Sequence, residues 1–144
     1  MSEVIGNKPV WFGRQGVLLI GYDVETDGGA TGGKRAEYES PEFFPIAGPL
    51  HRELQAPCTL FVRGKTLDLY RDAFRAVVGD PLFEFAQHTY SHRLLKTVMI
   101  RHADERLTGY VPHADVDMLA ADVEKAQTTI AAFTGARPVG FCAP

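Results

Sequence analysis

Short apolar stretches recur along this chain, and a region with helical features separates each from the next. They cover residues 16–22, 58–62, 82–87 and 139–142. Each begins at or directly after a glycine or a proline, and most are rich in β-branched or aromatic residues, which is typical of short buried strands. Strands that alternate with helices predict a parallel sheet with crossover helices, and therefore an α/β fold.

The clearest helix lies between the third and fourth of these strands. Asp115 is a good N-cap, apolar residues recur at helical spacing as far as Phe133, and Gly135 follows as a stop signal. Another helix is expected between Thr66, its predicted cap, and Val78.

The remaining connections are less regular. Residues 40–54 start with a helix cap and a first-turn proline. Their apolar residues recur at steps of four, at Ile46, Leu50 and Leu54. Because Pro45 and Pro49 interrupt this stretch, two short helical pieces are expected rather than one helix. Residues 93–113 have no clear period, and a loop is expected there.

Composition narrows the class of protein. The 144 residues are 45% apolar and carry a formal net charge of −3, which suits a single globular domain over 1–144 without a basic surface. Neither nucleic acid nor a membrane is expected as a partner. The first residues lack the basic flank and apolar core of a signal peptide, so a cytoplasmic location is expected. Cys58 and Cys142 are expected to be reduced thiols.

Two histidines follow directly after the third strand, at His88 and His92. If a helical turn begins there, both rings lie on one face with their Cβ atoms about 5–6 Å apart, close enough to bind one metal ion. Two imidazoles need at least one further ligand and an open coordination position before the ion can do chemistry.

Two acids occupy the corresponding position after the first strand. Asp23 and Glu25 lie on the glycine-rich loop that follows residues 16–22. Because functional residues gather at the carboxyl ends of parallel strands, these acids and the two histidines are expected to form one site. The alternative is that the acids are solvated loop residues. Asp27 is a turn residue on this interpretation, and the first substitute if Glu25 is not a ligand.

These residues resemble the motifs of the NodB-type polysaccharide deacetylases, carbohydrate esterase family 4. Residues 23–25 resemble the family's Asp-x-Asp motif, with glutamate for the second aspartate, and residues 88–92 match His-Ser/Thr-x-x-His without a gap. Residues 57–62 resemble the Ala-Thr-Phe-Phe strand, and residues 142–144 correspond to Arg-x-Pro with cysteine for arginine. The resemblance implies the N-terminal half of a distorted (β/α) barrel.

The resemblance also implies roles for the site residues. Asp23 would be the general base, and Glu25, His88 and His92 would bind a divalent metal, with zinc expected first and cobalt or nickel as alternatives. The implied reaction removes N-acetyl groups from an amino-sugar polysaccharide or oligosaccharide. The alternatives are a non-catalytic domain that binds metal or carbohydrate, and a hydrolase of a small linear amide or ureide.

Part of the family's machinery has no counterpart in this sequence. The fourth motif and the fifth, whose histidine acts as general acid in the family, are both absent from residues 1–144. The resemblance therefore implies an incomplete domain, completed by a missing C-terminal half or by self-association.

Ordinary surface or core positions are expected for the remaining histidines and for the cysteines. The remaining histidines are expected on the surface: His51, His102 and His113. Cys58 is expected in the core, and buried packing is also expected for Cys142. Tyr90 either stacks on a sugar or packs behind the metal ligands.

Overall fold

The computed structural model describes residues 4–5, 8–9, 17–25, 39–101 and 107–144. The elements, in chain order, are β1 (Val4–Ile5), β2 (Lys8–Pro9), β3 (Gly21–Val24), α1 (Glu39–Leu54), β4 (Cys58–Val62), α2 (Gly64–Leu69), α3 (Arg71–Phe74), β5 (Phe83–Gln87), β6 (Val98–Arg101), β7 (Leu107–Val111) and α4 (Val116–Thr134).

A parallel sheet in the order β3-β4-β5 is the centre of the fold. Gly21 pairs with Thr59, and Cys58 pairs with Phe83. A parallel bridge from Gln87 to Phe141 then adds the start of a fourth strand beside β5. The prediction of an α/β fold with parallel strands and crossover helices is confirmed.

The first strand starts later than predicted. It covers Gly21–Val24 rather than 16–22, and residues 17–19 are exposed instead of buried on both faces. The cause is register, because β4 begins at Cys58 and its Thr59 amide donates to the Ile20 carbonyl at the first pairing position. Asp23 therefore lies within the strand, and only Glu25 follows its end.

Helix α1 is one helix of 16 residues, so the prediction of two short pieces was wrong. Pro45 and Pro49 are four residues apart and both exposed, so they lie on the same solvent-facing side, where water can satisfy the carbonyls that lack a donor. The predicted apolar face of this helix was also wrong, since Ile46, Leu50 and Leu54 are exposed. The buried face instead contains Phe44, Ala47 and His51.

The predicted helix from Thr66 to Val78 is divided into α2 and α3 at Tyr70. Thr66 is not its cap, because the helix begins earlier, with Arg63 as the N-cap. Leu67 and Phe74 are fully buried, so the predicted apolar face is correct although the helix is broken. Residues 93–113 are not all loop, since β6 and β7 form an antiparallel pair.

Helix α4 agrees with its prediction. The Asp115 side chain accepts hydrogen bonds from two first-turn amides, and Gly135 ends the helix with a left-handed φ of 78°. Ala126 and Ile130 are fully buried on its inner face. No helix in the described ranges is long and apolar enough to cross a membrane.

Candidate metal centre

Three side chains converge at the carboxyl end of the sheet. Glu25 Oε2 lies 2.6 Å from His92 Nε2 and 3.5 Å from His88 Nε2. The two Nε2 atoms are 3.1 Å apart. The sequence prediction placed these residues on two different strands, and the structure brings them together as one group of donor atoms.

These distances suit a small divalent ion. An ion bound tetrahedrally through bonds of about 2.0–2.1 Å keeps neighbouring ligand atoms about 3.3 Å apart. The three measured separations, 2.6, 3.1 and 3.5 Å, bracket this value. Two imidazole nitrogens and one carboxylate oxygen form a donor set that zinc commonly accepts, with a fourth position left for water or substrate.

Backbone contacts fix the orientation of His88. Its Nδ1 donates to the carbonyl oxygen of Cys142 at 3.0 Å, and its side chain is 3% exposed. With the proton on Nδ1, the lone pair of Nε2 faces Glu25 and His92. This is the usual arrangement of a metal-ligating histidine, whose second ring nitrogen is held by a carbonyl or carboxylate.

The loop that carries both histidines is not helical, so the predicted helical turn was wrong. Thr89 and His92 have left-handed φ angles of 58° and 61°. The rings nevertheless approach each other, with centroids 4.9 Å apart. The two left-handed residues thus bring the histidine rings together, whereas the sequence spacing was expected to do so through a helical turn.

Asp23 lies beside this group. Side chains two residues apart on a strand share a face, so Asp23 in β3 and Glu25 just past it lie on the same side. Donor atoms of Asp23, His88 and Cys142 lie within 4.8 Å of one another. Burial, the charge of Asp23 and a hydrogen bond to it raise the pKa of the Cys142 thiol. Cys142 is half-buried rather than packed in the core.

The structure also places the secondary candidates. Asp27 and His102 lie outside the described residues. His113 is exposed, as predicted, but His51 is buried. The ring of His51 donates from Nδ1 to the Ala56 carbonyl at 2.6 Å and accepts from the Tyr22 hydroxyl at 2.9 Å, which satisfies both nitrogens.

The side chain of Tyr90 lies against helices α2 and α4. Its hydroxyl donates to Asp68 in α2 at 3.1 Å, and the Lys125 ammonium lies 3.6 Å from its ring centroid. Cys58 is buried in the core, as predicted.

Sequence reasoning missed Asp122. It is 8% exposed on α4, and its carboxylate accepts hydrogen bonds from the amides of Tyr90 and Ser91. The signal in the sequence was its position, because Asp122 precedes Ala126 and Ile130 by helical steps on the face that the apolar pattern predicts to be buried.

Comparison with known proteins assigns the family. The family model for polysaccharide deacetylase matches residues 32–144. The chain belongs to this family. The resemblance to this family is thereby confirmed, and the matched range includes the histidine motif at residues 88–92 but not residues 23–25. No curated protein matches the chain in sequence.

Solved structures of carbohydrate esterase family 4 share its fold. The wild-type pseudoenzyme BA3943 from Bacillus anthracis matches with a TM-score of 0.53 and 17% identity over 88% of this chain and 35% of its own. A mutant of that pseudoenzyme with restored enzymatic activity matches with a TM-score of 0.56 and 18% identity over the same shares. The peptidoglycan deacetylase PdaC from Bacillus subtilis matches with a TM-score of 0.53 and 17% identity over 88% of this chain and 48% of its own.

These matches show the fold of part of the NodB-type barrel. The chain spans 35–48% of the length of these neighbours. The prediction of a partial (β/α) barrel is confirmed.

Proposed function

We propose that this chain carries the metal-binding and general-base half of a deacetylase site that removes N-acetyl groups from an amino-sugar carbohydrate. The observation that supports it is the convergence of Glu25, His88 and His92 next to Asp23, in a chain of the polysaccharide deacetylase family. N-acetylated polysaccharide or oligosaccharide is the substrate class that the family implies.

Glu25, His88 and His92 would hold the ion. A divalent metal there would acidify a bound water and polarise the acyl oxygen of the substrate. Zinc suits the two imidazoles and one carboxylate, and cobalt or nickel can use the same donors.

Asp23 would accept the proton of the attacking water as its oxygen adds to the acetyl carbonyl. General-base assistance of this kind contributes about 10²–10⁴ in rate. Collapse of the tetrahedral intermediate breaks the C–N bond, and the leaving amine then needs a proton. We assign that acid to the rest of the barrel, supplied by a further C-terminal segment or by association with another chain.

A second candidate function is metal or carbohydrate binding without catalysis. It is favoured by the share of the neighbours that this chain spans, 35–48%, because a barrel site is built from loops of many strands. Metal binding is common to both functions, so acetate release distinguishes them.

Metal analysis of the purified chain tests the shared part of both functions. After reconstitution with Zn²⁺ and removal of excess ion, we expect about one equivalent per chain in the native protein and a loss of binding in His88→Ala and His92→Ala. His113→Ala is the control, because His113 is exposed and bonds Thr97 rather than the donor group. A native chain without bound metal would contradict the proposed site.

The role of Asp23 is tested separately. We expect the native chain to release acetate slowly from N-acetylated chito-oligosaccharides, and we expect Asp23→Asn to retain zinc but lose this release. If Asp23→Asn loses the metal instead, Asp23 is a ligand and its assigned role is wrong.

A further inference from the structure

Asp122 is an acidic side chain on the buried face of helix α4. It is 8% exposed, and the next residues along that face, Ala126 and Ile130, are fully buried. A buried carboxylate is strongly destabilising unless charges or hydrogen bonds compensate for its lost hydration. The partners of Asp122 therefore indicate why an acid lies at this position.

Those partners all lie in or next to the loop that carries the candidate metal ligands. The amides of Tyr90 and Ser91 both donate to Asp122 Oδ2 at 2.9 Å. The Ser91 hydroxyl donates to Oδ1 at 2.5 Å, and Arg93 Nε lies 3.7 Å from the same oxygen. Both carboxylate oxygens thus contact residues between the two histidines, and Oδ1 also lies near Arg93, directly after them.

The conformation of this loop explains why a carboxylate fits. Thr89 is left-handed and fully buried, and His92 is left-handed at the other end of the loop. The amides of the residues between them, Tyr90 and Ser91, converge on one point, and converging backbone N–H groups make a concave site for an anion. Asp122 occupies that point.

The loop needs such a partner because its conformation is unfavourable. Left-handed backbone is unfavourable for residues other than glycine, most of all for β-branched residues such as Thr89. Helix α2 holds the opposite side, where the amides of Gly64 and Lys65 donate to the carbonyls of Thr89 and Tyr90. On the described residues, the Tyr90 and Ser91 amides are held by Asp122 alone.

We propose that Asp122 is a positioning residue, which fixes the backbone of residues 89–91 so that His88 and His92 present their Nε2 atoms to one metal ion. The inference rests on the proposed metal site. Asp122 does not contact the ion or the substrate on this assignment, and it acts through the Tyr90 and Ser91 amides and the Ser91 hydroxyl.

The test compares Asp122→Asn with Asp115→Ala. Both changes affect helix α4, but Asp115 caps its first turn and has no hydrogen bond to the histidine loop. Loss of a cap destabilises the helix, so Asp115→Ala reports what helix destabilisation alone does to the metal site. Zn²⁺ affinity is measured by chelator competition, and the site is also followed by the visible absorption of bound Co²⁺.

We expect Asp122→Asn to weaken Zn²⁺ binding by about 10–100-fold, the usual effect of removing a group that orients metal ligands. The Co²⁺ spectrum should change with it, and Asp115→Ala should leave both unchanged. Equal Zn²⁺ affinity in native protein and Asp122→Asn overturns the proposal. Ser91→Ala serves as a milder variant, and its effect should not add to that of Asp122→Asn if both act through one contact.

Hydrogen exchange separates this inference from the proposed function. In metal-free protein, the Tyr90 and Ser91 amides should exchange faster in Asp122→Asn than in Asp115→Ala. Similar exchange in the two variants overturns the role of Asp122, whether or not the native chain binds metal. A native chain without metal affinity overturns the proposed function. Faster exchange of the Tyr90 and Ser91 amides in Asp122→Asn would still show that Asp122 stabilises the loop.

Discussion

Gly64 is the residue at which helix α2 comes closest to the histidine loop. A Cβ atom at this position would lie 2.6 Å from Tyr90 Cδ2 and 3.3 Å from Tyr90 Cα. The first distance is a clash with a ring, and the second involves backbone, so a side chain here requires the loop to move. The absence of a side chain at Gly64 thus allows the close packing behind the candidate ligands.

We expect Gly64→Ala to lower the free energy of unfolding by about 1–3 kcal/mol, the usual cost of overpacking, as measured by urea denaturation. Zn²⁺ affinity should fall as well, because the displaced segment joins His88 to His92. Gly109→Ala is the control, since a Cβ there meets no described residue within 4 Å. Equal stability of Gly64→Ala and the native chain would show that the loop adapts freely.

The two cysteines differ in their surroundings. Burial, followed by the charge of Asp80, raises the pKa of the Cys58 thiol to about 11. Because the thiolate is the nucleophile, both the raised pKa and the buried position should make Cys58 unreactive in the folded chain. Cys142 is half-buried, and its pKa is raised as well.

We expect iodoacetamide at pH 8 to modify Cys142 slowly and Cys58 only after unfolding. Mass spectrometry of peptides from a time course, with and without urea, measures both rates. Modification of Cys58 in the native protein at the rate seen in urea contradicts the assignment of this thiol to the core.

At the scale of elements, the contact between α4 and the histidine loop depends on charge. Burial acts to raise the pKa of Asp122, but the Ser91 hydroxyl and amide, the Tyr90 amide and Arg93 outweigh it, so the pKa is lowered. The folded state therefore favours the carboxylate form more than the unfolded chain does. The resulting stabilisation is present above the unfolded pKa of about 3.9, and is lost as pH falls through the lower folded value.

This predicts a pH-dependent difference between the native chain and Asp122→Asn. The difference in unfolding free energy should be constant from pH 6 to 8 and should shrink as the pH falls below about 4. Urea denaturation in the presence of a chelator measures it without a contribution from metal. A difference that stays constant down to pH 2 would indicate that the Asp122 carboxylate contributes nothing through its charge.

At the scale of the whole molecule, the chain matches part of the barrel of its solved neighbours. The chain spans 35–48% of the solved neighbours' length, and within the described residues the sheet of β3, β4 and β5 is extended by a bridge at Phe141. Residues 17–19, just before β3, are apolar and more than 80% exposed. In a closed barrel, further strands would lie next to β3 and pair with it.

We therefore expect this chain by itself to bind zinc but to turn over slowly. Because the proposed function assigns the acid for the leaving amine to the rest of the barrel, the rate should fall about 10²–10⁴-fold below that of a complete family member. Zinc stoichiometry and acetate release, measured on the same preparation, test this directly. Acetate release at the rate of a complete deacetylase would show that these residues already contain every group the reaction needs.

Much of the fold could be predicted from the sequence, because its signals act over a few residues. The apolar residues that follow Pro57 determine β4 locally, and the cap and stop signals determine where α4 begins and ends. The identity of the histidine motif at residues 88–92 and its place after β5 also came from sequence alone. So did the expectation that Glu25 would face it, since the carboxyl ends of parallel strands meet at one edge.

Tertiary contacts decided what local patterns could not. The start of β3 depends on its register against β4, and the buried face of α1 depends on which residues the sheet covers, so Ile46 is exposed while His51 is buried. The left-handed loop depends on Asp122, which lies about thirty residues further along the chain. Sequence therefore determined which donors this protein brings to the edge of its sheet. Only packing between distant segments determined how those donors are aimed at one point, because a hydrogen bond from α4 has no local signature in the loop it holds.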